Sequence, residues 1–179
     1  MPRVYVKKPN IILSEFEDGT LVIDISSKKY PTATMKIDKS DWLKLKEMNI
    51  GRIRITAGYP YCWSGGVIHR LLNPNWKYVD HINHDPTDNR RSNLREVTIQ
   101  QNNMNSKLSK RNSSGYKGVQ KFRKKFQSNI RINGKLKYLG LFTTPIEAAE
   151  AYDKAAIEHF KEFACTNQSL GLILEQNNK

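Results

Sequence analysis

The sequence predicts an α+β fold in two parts: a β-rich N-terminal part that runs into a polar loop and a short helix, then a three-stranded antiparallel sheet packed on one helix. Three observations predict it. Apolar alternation with β-branched residues recurs through residues 20–56. SKLSKRNSSG (106–115) has little to bury and reads as a linker. Beyond it come three strand-length runs and one long amphipathic helix.

TLVIDIS (20–26), TATMKID (32–38) and RIRIT (52–56) are the expected strands of the first part. Between them, KSDWLKLKEM (39–48) predicts one short helix. Gly, Pro and aromatic punctuation in GYPYCWSGG (58–66) predicts a turn or loop. VIHRLL (67–72) reads as a strand, NPNW as a turn, and KYVDH (77–81) as a strand entering a polar stretch. Thr98 and Gln101 then fit a capping box, so a short helix is expected through about Asn105. Past the linker, YKGVQKF, KFQSNIRI and KLKYLGLF are three strands, the last two joined by the hairpin pair Asn133-Gly134. TTPIEAAEAYDKAAIEHFKE opens with Thr144 as N-cap, Pro145 at N1 and Glu147 at N3. Ala149, Tyr152, Ala156 and Phe160 share one face of that helix, and the small alanines let it lie close against a sheet. The expected bounds are 1–105, a linker at 106–114, a second domain at 115–170 and a tail at 171–179.

Charge narrows the partners. Thirty Lys and Arg against 17 Asp and Glu give +13 and a pI near 9.8, which favours nucleic acid ahead of a membrane surface. The excess is concentrated: residues 113–141 carry 8 bases and no acid, whereas 142–179 carry 3 bases and 6 acids. No apolar run approaches the roughly 18 residues of a membrane span, and MPRVYVKKPN lacks the apolar stretch of a signal peptide. Cys62 and Cys165 stand far apart and form no CxxC pair. Neither a disulfide framework nor a zinc knuckle is expected, and a reducing intracellular setting is.

On the second strand of the basic sheet, Phe126, Ser128, Ile130 and Ile132 point one way and Gln127, Asn129 and Arg131 the other. Leu139 and Leu141 are expected on the helix-packed face, with Leu136 and Tyr138 opposite. Ordinary solvent faces mix both signs of charge; this one lacks acid. A sheet laid in a DNA major groove uses Arg for guanine, Asn and Gln for adenine, and Lys for phosphate. Lys117, Gln120, Lys121, Gln127, Asn129, Arg131, Lys135 and Tyr138 are the candidate contacts. An RNA-binding sheet would expose more stacking aromatics than Tyr138 and Phe122. YKGV, YLGLF and EAAEAYDKAAIEHFKEFACTN, in that order and spacing, resemble the plant Apetala/ethylene-response-factor DNA-binding domain over roughly 115–167. The resemblance implies a three-stranded sheet entering the major groove of double-stranded DNA. Gln120 and Tyr138 replace an arginine and a tryptophan of the plant members, so DNA binding carries over and the plant target sequence does not.

YVDHINHDPTDNRRSNLR (78–95) crowds Asp80, His81, His84, Asp85, Asp88, Asn89 and Asn93 together, as either a solvated loop or a site. Hydrolysing a phosphodiester needs an activated water and neutralisation of developing negative charge. A histidine base and one divalent cation with oxygen ligands supply these. Asp80 and His81 are expected to point to opposite sides of a strand end, with Asn102 in the first turn of the next helix. If that helix packs back, Asp80 and Asn102 share one ion and His81 takes a proton from water. IHRLL, VDHIN, DNRRSNLREVT and QNNMN, in order, resemble phage and intron HNH homing endonucleases over about 67–105. The resemblance implies a ββα-metal nuclease motif with His81 as general base and Asp80 and Asn102 as ligands of Mg²⁺ or Mn²⁺. Asn93 would tie the loop together and hold the histidine. With no flanking CxxC pairs, no zinc is expected.

His69, within an apolar run, reads as a packed core residue. His84 and Asp85 read as turn contacts, and Asp88, Asn89, Arg90 and Arg91 as loop braces, the two arginines also being candidate DNA contacts. Residues 1–66 either buttress the nuclease or hold part of the DNA site. The combined expectation is a site-specific, homing-type endonuclease, monomeric, nicking one strand per engagement. A phage- or intron-encoded protein in a bacterial cytoplasm suits it. The alternatives are a restriction-type enzyme and a DNA-binding regulator on a decayed nuclease scaffold. A decayed site should lose Asp80 or His81 first, and both are present.

Overall fold

The computed structural model describes residues 9–173. Most of the N-terminal stretch read for a leader, and residues 174–179 of the expected tail, lie outside the described residues. The chain divides into two compact units, Met1–Val97 and Thr98–Lys179.

In the first unit, β1 (Ile12–Glu15), β2 (Thr20–Asp24) and β3 (Thr34–Asp38) form an antiparallel sheet in that order. Alternation buries Leu21 and Ile23 of β2 and Met35 and Ile37 of β3 on one face. α1 (Lys39–Glu47) lays Trp42 and Leu45, one helical turn apart, into the same core. β4 (Ile53–Thr56), β5 (Tyr59–Cys62) and β6 (Gly66–Val67) make a second antiparallel sheet with β5 in the middle, contributing Ile53 and Cys62 to that core.

Two expectations fail here. GYPYCWSGG holds strand β5 where a turn or loop was expected. The Ala57-Gly58 turn before it has positive φ at both residues, the conformation of a two-residue hairpin. Pro60 sits in a strand because β6 reaches only Tyr61 and Cys62, so its missing N–H leaves no ladder bond broken. VIHRLL is not a strand. Only Gly66–Val67 pair, and Ile68–Leu72 form helix α2, burying Ile68, His69 and Leu72. A short apolar run does not distinguish the two states by periodicity.

β7 (Val79–His81) pairs antiparallel with β8 (Leu94–Glu96), a strand the polar content of its surroundings had hidden. Between them, Arg91–Asn93 form one turn of 3₁₀ helix.

The second unit opens with α3 (Ile99–Met104), capped by the expected Thr98/Gln101 box. Its division from the first unit falls before this helix, not after it, because Met104 packs on the Ile130–Tyr152 cluster. β9 (Val119–Phe122), β10 (Lys125–Ile132) and β11 (Lys135–Phe142) form an antiparallel sheet with β10 central. Asn133 and Gly134 make the β10–β11 turn, both at positive φ. α4 (Pro145–Phe160), with the Thr144/Glu147 capping box, buries Ala148, Ala149, Tyr152, Ala155, Ala156 and Phe160.

A bulge at Leu139 shifts the register, since Asn129 faces Tyr138 while Ser128 faces Gly140. Leu139 packs with the helix-side cluster, but Leu141 lies opposite Gln127 on the open face and is 40% exposed. That corrects its expected place; Phe142 takes the helix side instead. No helix among the described residues is long and apolar enough to cross a membrane.

Candidate active site

Strand pairing places the two central residues of the polar stretch. Asp80 lies opposite Arg95 and His81 opposite Leu94. Residues directly opposite share a side of the sheet, and Arg95 donates from Nε and Nη2 to Asp80 Oδ2 at 3.0 and 2.8 Å. Asp80 and His81 are both buried.

The loop between the strands is folded on itself. Asn93 accepts the Asn83 N–H at 2.9 Å and donates to the Asp88 carbonyl at 2.8 Å, clamping the loop from inside. Ile82 N–H donates to the Asn93 carbonyl at 2.9 Å, which ties the residue after His81 to the same clamp. The Asp88 carboxylate accepts from Asn83 Nδ2 at 3.0 Å and from two Arg90 nitrogens at 2.8 and 2.6 Å. Burial raises its pKa and the Arg90 bonds lower it more, so Asp88 lies below the usual carboxylate range. Asp85 accepts from the Thr87 N–H and hydroxyl, a local turn. Lys36 of β3 anchors the loop through backbone bonds with Thr87 and Asn89.

Arg90 and Arg91 are braces in this structure. Arg91 grips the buried Asp41 carboxylate with two nitrogens and reaches the Asn73 side chain and the Leu72 carbonyl. Most of the loop's polarity is therefore structural.

His81 sits among rings that its sequence neighbours do not reveal. The His69 ring stands edge-on to it at 5.0 Å, and the Tyr59 ring lies 6.3 Å from His81 and 5.5 Å from His69. Burial lowers the His81 pKa, against the upward pull of the Asn89 side chain and of the Asp80, Asp85 and Asp88 charges. His69 is driven down to about 4 by burial, then by the neighbouring His81 and Arg70 charges, and its buried Nδ1 has no hydrogen-bond partner. Burial thus favours the uncharged form of both imidazoles. Neutral His81 is the form that accepts a proton.

Asp80, His81 and Asn93 thus come together within the first unit, while Asn102 is an exposed residue of α3 in the second. Residues 73–104 match the HNH endonuclease family. The HNH match takes in Asp80, His81, Asn93 and Asn102, and leaves His69 and Tyr59 outside. The chain is also 35% identical over 123 residues, 63% of its length, to an uncharacterised HNH endonuclease of Acanthamoeba polyphaga mimivirus. It spans about 64% of the length of that relative.

Two residues around His81 escaped the sequence reading. Arg95 was legible only once β8 was paired, and Tyr59 only once β5 was recognised as a strand. His69 is buried, as expected of a packed core residue, but its place beside His81 was not foreseen.

On the C-terminal sheet, Gln120, Gln127, Asn129, Arg131 and Tyr138 share the open face by register. Lys121 and Lys135 do not, since they lie opposite Phe126 and Ile132 of the helix-packed side. Lys117 is turned inward, its ammonium donating to the carbonyls of Met104, Ser106 and Cys165 at 3.1, 2.6 and 3.0 Å. It is a structural plug, not a surface contact.

Proposed function

We propose that the protein is a divalent-cation-dependent DNA endonuclease whose general base is His81. The observation that carries this is a buried, neutral imidazole beside the Asp80 carboxylate, inside the segment that matches the HNH family. A nuclease of this family implies a DNA substrate.

In the proposed reaction His81 removes the proton from the attacking water, and the Asn93 clamp keeps the loop from carrying His81 out of line. Arg95 holds Asp80 in one orientation through two bonds to Oδ2. The carboxylate oxygen at Asp80 is a donor type that fits a hard cation. Among the described residues no group of three His, Cys, Asp or Glu side chains comes together to hold a metal, so water and substrate oxygens would complete its shell. Such a cation, Mg²⁺ or Mn²⁺, would neutralise charge on the phosphate as it develops.

Recognition is assigned to the open face of the C-terminal sheet, through Gln120, Gln127, Asn129, Arg131 and Tyr138. The amide and guanidinium groups there are those that read base edges in a major groove, and the likeness to the Apetala/ethylene-response-factor domain supports it. A homing-type role, acting as a monomer and nicking one strand, is the setting that best suits one catalytic histidine joined to one reading surface.

Purified protein with Mg²⁺ or Mn²⁺ is expected to cut or nick long DNA at few positions, read by sequencing the ends. His81→Ala should abolish cleavage and leave DNA affinity nearly unchanged. Equal cleavage by that variant would overturn the mechanism, and an inert wild type that still binds would leave a DNA-binding protein on a silent nuclease scaffold.

A further inference from the structure

The outer face of the β4–β5 hairpin has no task in the fold. Along β4 the buried Ile53 alternates with exposed Arg54 and Thr56; along β5 the buried Pro60 and Cys62 alternate with Tyr59 and Tyr61. Register sets Arg54 across from Tyr61 and Thr56 across from Tyr59, and Arg52 and Trp63, one step beyond the paired residues, line the same concavity as Arg54 and Tyr61.

Trp63 is 88% exposed, so its indole packs against almost nothing. The Arg54 side chain makes no hydrogen bond or ion pair among the described residues, while Arg52 donates to the Ser26 carbonyl at 3.4 Å and feels the Asp24 carboxylate. Arg52, Arg54, Tyr61 and Trp63 line a concavity of about 710 Å³ whose wall contains no acidic residue. A large solvent-facing aromatic beside the unpaired Arg54 guanidinium marks a surface built for contact.

The other end of this face reaches the proposed catalytic centre, because the Tyr59 ring lies 6.3 Å from the His81 ring. From Tyr59 along β5 to Trp63, the first residue beyond it, is about 13 Å at roughly 3.3 Å per residue. That length corresponds to about four nucleotide steps at the duplex rise of roughly 3.4 Å, and to fewer in a strand whose bases are unstacked.

We propose that this face is a binding track for the DNA strand being cut. Arg54, with Arg52 beside it, takes backbone phosphates, and Trp63 stacks on an unstacked base a few nucleotides from the scissile phosphate. Guanidinium groups on phosphates and aromatic rings on base faces are the two elements of single-strand binding. Charge complementarity and continuity with His81 favour a nucleic acid strand over a protein partner. The inference rests on the reading of His81 as the centre of a DNA endonuclease.

The test uses the full chain without divalent cation, so that binding is read apart from cleavage. Affinity for a fluorescent single-stranded oligonucleotide is measured across a salt series for wild type, Trp63→Ala and Arg54→Ala. Trp63→Ala is expected to weaken binding about 5- to 100-fold, the range of one lost base stack. Arg54→Ala should lower the steepness of the salt dependence by about 0.7, one phosphate contact on a single strand. Quenching of tryptophan fluorescence by the oligonucleotide should also be largely lost in Trp63→Phe, with Trp42 and Trp76 retained. Wild-type affinity and quenching in all three variants would overturn the track and point to a protein partner for this face. If the wild type still cuts DNA with Mg²⁺, the endonuclease reading stands. A wild type that neither binds nor cuts DNA would remove both.

Discussion

His81 must be uncharged to act as a base, and its seat keeps it so. Burial holds its pKa below the ordinary imidazole value of 6.5, despite three carboxylates that pull upward. The acid limb of the cleavage rate is therefore expected to be centred below pH 6.5, as His81 takes up a proton before the reaction. A single-turnover pH profile checks this, and an acid limb centred above pH 7 would contradict it. Asp80 is held by a close ion pair. Its side chain is 8% exposed and that of Arg95 15%, so removing the guanidinium takes a counter-charge away from a buried carboxylate. Arg95→Ala should cost about 3 kcal/mol of stability in urea denaturation, with Arg95→Lys falling between it and wild type. A loss well under about 1 kcal/mol would mark the pair as an ordinary surface ion pair.

At the scale of elements, the tightest constraint is Gly118. Its φ is +77°, and a Cβ there would lie 1.9 Å from the Tyr152 ring of α4. Gly118→Ala should destabilise the second unit by about 3 kcal/mol or more, through backbone strain and overpacking together. Hydrogen exchange in β9 and α4 would show it, while β2 and β3 keep their protection. The glycine of the YKGV run is thus needed for packing, whatever the sheet binds. Legibility divides by the chemistry of the turns. The Asn133-Gly134 hairpin was readable because both residues favour positive φ. The Ala57-Gly58 hairpin adopts the same signs, but alanine gives no such signal, and β5 was missed with it. α2 failed for a different reason: five residues are too few for a 3.6-residue period to show. α4 and its cap were legible because sixteen residues repeat the pattern. Asp80, His81 and Asn93 were legible as a motif, yet Tyr59 and His69, distant in sequence, are brought to His81 only by the fold.

For the whole molecule, two units imply two separable contributions to DNA binding. The proposed reading face belongs to the second unit, the proposed base to the first. Arg131→Ala is expected to weaken duplex binding and lower its salt slope by about 1, while the cleavage rate at saturating protein changes little. Filter binding across salt concentrations, beside single-turnover cleavage, would show that separation. An unchanged slope would take Arg131 off the phosphate backbone. The inward turn of Lys117 has a consequence at this scale. Of the eight cations between residues 113 and 141, Lys117 faces protein carbonyls, while Lys121, Lys135 and Lys137 lie opposite residues of the helix side. The open face is thus richer in amide groups than the segment's net charge suggests. If that face reads DNA as proposed, it would hold indifferent sequences loosely and release them quickly, so that long stretches could be scanned in the time one tightly held false site would consume.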